Sequence, residues 1–196
     1  QRLGKPVVLT GSQKPITQEI TDAKRNLRDS VAVAMDEDCP GVQIVFNGQI
    51  IAGTRAKKVK SFSFDAFTSI NFPVLGVVQN GRVIRYVKEE KSTESPVFYH
   101  RVHPKVFLLK LVPGMQPRIL KPIFEEFDCV IVERFGVGGI PESIAEEFFR
   151  LLGRYEPGEK ILIMTTQVTY EGSDVDVYEV GKRIRERFRF LEAYDM

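Results

Sequence analysis

The sequence has no tryptophan, two cysteines, two histidines and four methionines in 196 residues, and each scarcity excludes something. Two unpatterned cysteines cannot build a disulfide scaffold and suit a reducing compartment. Cys129 stands in the apolar run Cys129-Val130-Ile131-Val132 and reads as a small core residue. Cys39 stands in the turn-like Asp36-Glu37-Asp38-Cys39-Pro40. Structural zinc takes four ligands. His100 and His103 have helical spacing, but Pro104 follows, the segment reads as extended, and no cysteine or carboxylate cluster accompanies them, so no metal is expected. No apolar run approaches the roughly 20 residues of a membrane helix, so no membrane partner is expected. An excess of one charge is also lacking. With 28 basic and 26 acidic residues, net +2, nothing calls for nucleic acid or an anionic surface. Lys57-Lys58-Val59-Lys60 and the charges Arg183, Arg185, Glu186 and Arg187 read as solvated surface. There is no internal repeat and no low-complexity tract.

What is present is a globular composition, 43% hydrophobic, with room for one large domain or two small ones. Val7–Thr10 is β-branched-rich and reads as a buried strand ended by Gly11-Ser12. Thr21-Asp22 reads as a helix start, with Thr21 as N-cap and Asp22 in the first turn. Ala23, Leu27, Val31 and Ala34 then recur at helical spacing, which predicts one buried face. Val42–Phe46, Asn47-Gly48 and Gln49–Ala52 form a hairpin pattern, because Asn-Gly supplies the positive φ angles of a tight turn. Asn80-Gly81 joins Val74–Val78 to Arg82–Val87 in the same way. Thr54–Pro73 reads as irregular.

Lys88–Pro96 is polar and reads as a linker or exposed loop. Beyond His103-Pro104 strands and helices alternate: strands at Val106–Val112, Cys129–Val132 and Ile161–Thr165, helices at Pro117–Phe127, Pro141–Leu152 and Val175–Phe188. Pro141 suits the first helical position. Three strand–helix units in a row imply a parallel sheet. The fold class expected is therefore α/β in two domains. Residues 105–196 form a small three-layer parallel sheet, residues 1–87 an incomplete α/β domain, and residues 88–104 a linker.

In such sheets ligands bind beyond the carboxyl ends of the strands. Candidate segments are Pro113-Gly114-Met115, Phe135–Ile140, Thr165-Thr166-Gln167 and, in the first domain, Thr10-Gly11-Ser12-Gln13. Gly136, Gly138 and Gly139 lack the spacing of a dinucleotide fingerprint and read as a tight strand-to-helix turn, so no cofactor is expected. Thr165 and Thr166 could be nucleophiles only beside an activating base, and none is identifiable from spacing. Lys5 is held in extended geometry by Pro6 and, on its own, reads as an ordinary exposed lysine.

Taken in order, several segments resemble the L-asparaginase family in its cytoplasmic bacterial form. These are Lys5–Gln13 with Pro15, Thr21–Leu27, Phe46-Asn47-Gly48, Gly53, Arg55, Lys58 and Asp65-Ala66-Phe67. Ser69, Asn71, Pro73, Pro113-Gly114, Gly136–Pro141, Thr165-Thr166-Gln167 and Ala193–Met196 complete the set. The resemblance implies hydrolysis of L-asparagine through a threonine nucleophile, supported by a Thr-Asp pair, a tyrosine and a lysine. Of these only the lysine is carried over, at Lys5. The remainder belongs to a portion preceding Gln1, and both ends of the chain are expected to be truncations. The resemblance also implies a cytoplasmic homodimer or homotetramer whose active site lies near a subunit interface. Secreted relatives carry a substrate-binding Asn after the Gly-Val-Gly turn, where Gly139-Ile140-Pro141 stand here. Some cytoplasmic relatives have a regulatory asparagine site near the Thr-Gly-Ser strand and the loop before Gly136, where Glu133 and Arg134 stand here. Two alternatives share the fold: an ammonia-releasing subunit of a tRNA-dependent amidotransferase, and a non-catalytic truncated homologue.

Overall fold

The computed structural model describes residues 5–37, 39–88, 95–136, 138–156, 159–174 and 191–192. The chain divides into two units, Gln1–His100 and Arg101–Met196. Both are mixed α/β.

The first unit contains β1 (Val7–Leu9), α1 (Ala23–Ala34), β2 (Val42–Phe46), β3 (Gln49–Ala52), β4 (Ala56–Lys58), β5 (Phe67–Ser69), β6 (Gly76–Gln79) and β7 (Arg82–Arg85). One sheet runs in the order β1-β2-β3-β6-β7. β1 lies parallel to β2, and the remaining pairs are antiparallel. Both Asn-Gly turns have the expected left-handed geometry, with φ of 49° and 77° at Asn47-Gly48 and 51° and 74° at Asn80-Gly81. The core collects Val33, Cys39, Val45, Ile50, Leu75 and Val78.

Two expectations are corrected. Thr54–Pro73, read as irregular, contains a separate two-stranded sheet in which Lys58 pairs with Phe67. Its lysine-rich first strand has no alternation of apolar residues to announce it. The second correction concerns α1. Its buried residues are Asn26, Asp29, Ser30 and Val33. Leu27 and Val31, expected to be inside, are 53% and 51% exposed. Of its buried polar residues, Asn26 hydrogen-bonds the loops that end β1 and β2, while Ser30 donates to Asn26 O and Asp29 pairs with Arg25 within the helix. The cap also shifts: Asp22 sits at the N-cap, and the Thr21 hydroxyl accepts from the Ala23 N–H at 3.0 Å.

The second unit contains β8 (Val106–Lys110), a 3₁₀ turn (Pro117–Ile119), α2 (Leu120–Glu126), β9 (Cys129–Arg134), α3 (Glu142–Leu152), β10 (Ile161–Thr166) and β11 (Leu191–Glu192). All four strands are parallel, in the order β11-β10-β9-β8. The alternating sequence pattern anticipates this. Pro141 is at the N-cap of α3, one residue before the position expected, with extended ψ of 133°. The helix expected at 175–188 lies outside the described residues. The core includes Leu111, Leu120, Phe124, Val132, Ile144, Phe148, Leu151 and Met164, with Phe124 and Phe148 edge to face at 5.6 Å. No described helix is long and apolar enough to cross a membrane.

Candidate functional site

In the first unit, the chain leaving the carboxyl end of β1 helps to form a cleft of about 300 Å³. Thr10, Gly11, Ser12 and Gln13 form one side; Ile44 and Phe46 of β2 line it, as do Lys58 of β4 and Phe67 of β5. The volume is at the small end of ligand pockets, which suits a ligand of amino-acid size. Phe46 and Phe67 pack ring to ring at 4.9 Å and seat the β4–β5 hairpin on the main sheet.

The loop after β1 is held by a buried polar network. Asp22 and Asn26, 6% and 1% exposed, are one helical turn apart. The Asp22 carboxylate accepts the backbone N–H of Gln13 at 2.9 and 3.0 Å and that of Lys14 at 3.1 Å. Asn26 donates to Gly11 O at 2.9 Å and to Asp22 Oδ2 at 3.1 Å, while its Oδ1 accepts the Asn47 N–H at 2.9 Å. One amide therefore joins the loops after β1 and β2. The Thr10 hydroxyl is already engaged, donating to Val45 O at 2.7 Å.

The structure separates the lysines. Lys5 is exposed and precedes β1, at the strand's amino end. Five extended residues from Lys5 to Thr10 span about 16 Å, beyond the reach of a lysine side chain. Lys58 lines the cleft instead. Its side chain has no hydrogen bond or ion pair among the described residues. Its neighbours do: Lys57 has a partner, and Lys60 is paired with Asp65. The hydrogen bond from Lys60 holds the Asp65 carboxyl below its usual range. The Lys58 ammonium is thus available to a negative group in the cleft. In sequence Lys58 matches the family pattern but reads as solvated surface, because it stands in a run of lysines; its pairing opposite Phe67, on the cleft wall, distinguishes it from that run.

In the second unit, polar groups gather beyond β9 and β10. Arg134 is fully buried and donates to Thr165 O and Gly138 O, both at 3.3 Å. A Cβ on Gly138 would stand 2.6 Å from Arg134 Nη1 and 2.9 Å from Asp174 O, so this glycine is demanded by internal packing. Phe135 and Gly139 exchange backbone hydrogen bonds at 3.2 and 3.0 Å, which closes the tight turn expected there. Thr165 and Thr166 are buried. The Thr166 hydroxyl donates to Gly136 O and accepts from the Val168 N–H. The Thr165 hydroxyl has no hydrogen-bond partner among the described residues, so neither threonine is hydrogen-bonded to a base there. Gln167 donates to Leu111 O at 2.6 Å and Glu133 O at 3.0 Å, binding the ends of neighbouring strands together. His103 pairs with Asp128 at 2.8 Å, and no metal-binding cluster occurs among the described residues.

A cleft beyond the carboxyl end of β1, with Lys58 on its wall, stands where parallel α/β folds ordinarily hold their ligands. Comparison with known proteins makes this specific. The family description "Asparaginase, N-terminal" matches residues 1–91, and "Glutaminase/Asparaginase C-terminal domain" matches residues 105–196. The chain belongs to the asparaginase family. It is 37% identical over 187 residues to an L-asparaginase of Thermococcus kodakarensis, covering 92% of this chain and 54% of that protein. It is 29% identical over 195 residues to a glutamyl-tRNA(Gln) amidotransferase subunit of Pyrococcus abyssi, covering 94% of this chain and 43% of that protein. The solved thermostable L-asparaginase of Thermococcus kodakarensis superposes with a TM-score of 0.83 at 35% identity, covering 94% of this chain and 56% of that one. A probable cytoplasmic L-asparaginase from Campylobacter jejuni shares the fold, with a TM-score of 0.82 at 24% identity over all of this chain and 62% of that one. The chain spans about half the length of the curated relatives it matches.

Proposed function

We propose that the polypeptide carrying these residues hydrolyses L-asparagine to L-aspartate and ammonia, and that Lys58 supplies the ammonium group at the reacting end. The observation that carries this reading is the unpaired Lys58 side chain on the wall of the cleft, in a chain of the asparaginase family. Lys58, rather than Lys5, is the lysine that geometry favours, because the cleft lies beyond the opposite end of β1 from Lys5. The nucleophile in this reading is a threonine hydroxyl outside residues 1–196. Its oxygen attacks the amide carbon, the tetrahedral oxyanion collapses as ammonia leaves with a proton, and water then cleaves the ester.

The part assigned to Lys58 is electrostatic. A positive charge about 4 Å from an ionising hydroxyl or water favours the deprotonated form by roughly 4 kcal/mol at an effective dielectric of 20. That lowers the proton affinity of the group which must become nucleophilic. The same reading carries assembly as a homodimer or homotetramer with the cleft near a subunit interface, and a cytoplasmic location. The two free, buried thiols suit a reducing compartment.

Ammonia release from L-asparagine by the full-length polypeptide tests the proposal. Lys58→Met is expected to lower kcat by ~10²-fold or more, and Lys5→Met to leave it within about twofold, as for an exposed lysine away from the chemistry. An active Lys58→Met enzyme beside an inactive Lys5→Met enzyme would reverse the assignment. A second reading, an ammonia-releasing amidotransferase subunit, is supported by the 29% identity to glutamyl-tRNA(Gln) amidotransferase chains. Co-purification with a second chain and no free hydrolysis of L-asparagine would favour it.

A further inference from the structure

We infer that Gln13 is a positioning residue for Lys58, acting as a clamp between the loop after β1 and the lysine-bearing hairpin; this rests on Lys58 acting at the reaction. The β4–β5 hairpin is not hydrogen-bonded into the main sheet as a strand neighbour. At its base it is closed by the Ile70 N–H donating to Arg55 O at 2.8 Å, and at the level of Lys58 the Phe46–Phe67 ring contact seats it on the main sheet. Toward its tip the chain turns through residues 59–66, closed by the Val59 N–H donating to Ala66 O at 2.8 Å. Across the cleft, Gln13 Nε2 donates to Ser63 O at 3.1 Å and Lys60 O at 3.4 Å. Both carbonyls lie in the segment that immediately follows Lys58. Gln13 is itself anchored, because its backbone N–H is held by the Asp22 carboxylate, and Asp22 is held by Asn26. A continuous path therefore runs from the buried side of α1, through Gln13, to the hairpin that presents the lysine.

The chemistry of the contact dictates the residue. One side-chain nitrogen with two N–H groups faces two carbonyl oxygens, so a donor is required and an acceptor is repelled. Length matters as well, since the side chain must span from the loop after β1 to carbonyls 47 and 50 residues away in sequence.

The test uses the full-length polypeptide with Gln13 changed to Glu, Ala, Asn and Arg. Gln13→Glu turns the donor into a charged acceptor against two carbonyls; kcat is expected to fall by ~10-fold, with KM changed less than about twofold, as for misplacement of a group that acts in the transition state. Gln13→Ala and the shorter Gln13→Asn should fall between Glu and the parent, and the donor-bearing Gln13→Arg should restore most of the rate. A pulse of acetic anhydride, read by peptide mass spectrometry over a range of pH, gives a second measure. Lys58 labelling relative to Lys57 should change at least threefold in Gln13→Glu, and the pH–rate profile should shift with it. Unchanged kcat in Gln13→Glu overturns the inference, as does a lowered kcat with unchanged Lys58 labelling and pH profile. If Lys58→Met stays active while Gln13→Glu still alters Lys58 labelling, the clamp stands and the role given to Lys58 fails.

Discussion

Asn26 offers the sharpest test of how the cleft is built. Replacing it with alanine removes three contacts at once: the donations to Gly11 O and Asp22 Oδ2 and the acceptance from the Asn47 N–H. The side chain is 1% exposed, so water cannot take its place without rearrangement. A net contribution of about 0.5–1.5 kcal/mol for each of the two neutral hydrogen bonds, and about 1.5–3 kcal/mol for the one to a carboxylate, sums to roughly 2.5–6 kcal/mol. Solvent access to Gly11 and Asn47 brings the expected loss toward the lower half, about 2.5–4 kcal/mol. Asn26→Asp should cost more than Asn26→Ala, since it aims a second carboxylate at Asp22 and an acceptor at Gly11 O. Because the two units have separate cores, the measurement should follow the first unit by itself. Hydrogen exchange at the β1 and β2 amides under native conditions does this. Exchange in Asn26→Ala within about 0.5 kcal/mol of the parent, or an Asn26→Asp protein as protected as the parent, would refute the account.

Two further outcomes are expected. Gly138→Ala should destabilise the second unit by about 1–3 kcal/mol in thermal or denaturant unfolding, through overpacking against Arg134 and Asp174. Gly139→Ala, whose Cβ would come no nearer than 3.9 Å to any neighbour, should be tolerated, and equal effects would remove the packing explanation. Asp65 should titrate below 3.8, because Lys60 hydrogen-bonds its charged form. Since the folded pKa is the lower one, the contribution is present above the ordinary carboxylate pKa and is lost as pH falls through the folded value. An NMR titration of Lys60→Met should show the Asp65 midpoint raised toward the ordinary carboxylate range, and an unmoved midpoint would show another cause.

The second unit was legible in sequence because its strands are buried parallel runs punctuated by helical patterns and turns, which propensity and periodicity report directly. The two Asn-Gly hairpins were legible for a similar local reason. What escaped was set by partners distant in sequence. The buried side of α1 is polar, and its logic depends on loops 15 and 21 residues away; periodicity alone placed Leu27 and Val31 inside. Lys58 was hidden within a basic run, and its difference from Lys57 and Lys60 lies in where β4 pairs rather than in composition. Lys5, by contrast, was conspicuous beside the Pro-Val-Val-Leu strand, yet strand direction carries it away from the cleft.

β1 has one further consequence. It pairs only with β2 among the described residues, and Val7 and Leu9 are 37% and 51% exposed. Parallel strands are ordinarily covered on both faces and flanked on both sides. An open, apolar edge of this kind is a template on which other backbones can stack. Handled as an isolated piece, these 196 residues should therefore be governed by colloidal behaviour: filtration, light scattering and recovery from inclusion bodies would report on one uncapped strand well before any assay reported on the cleft.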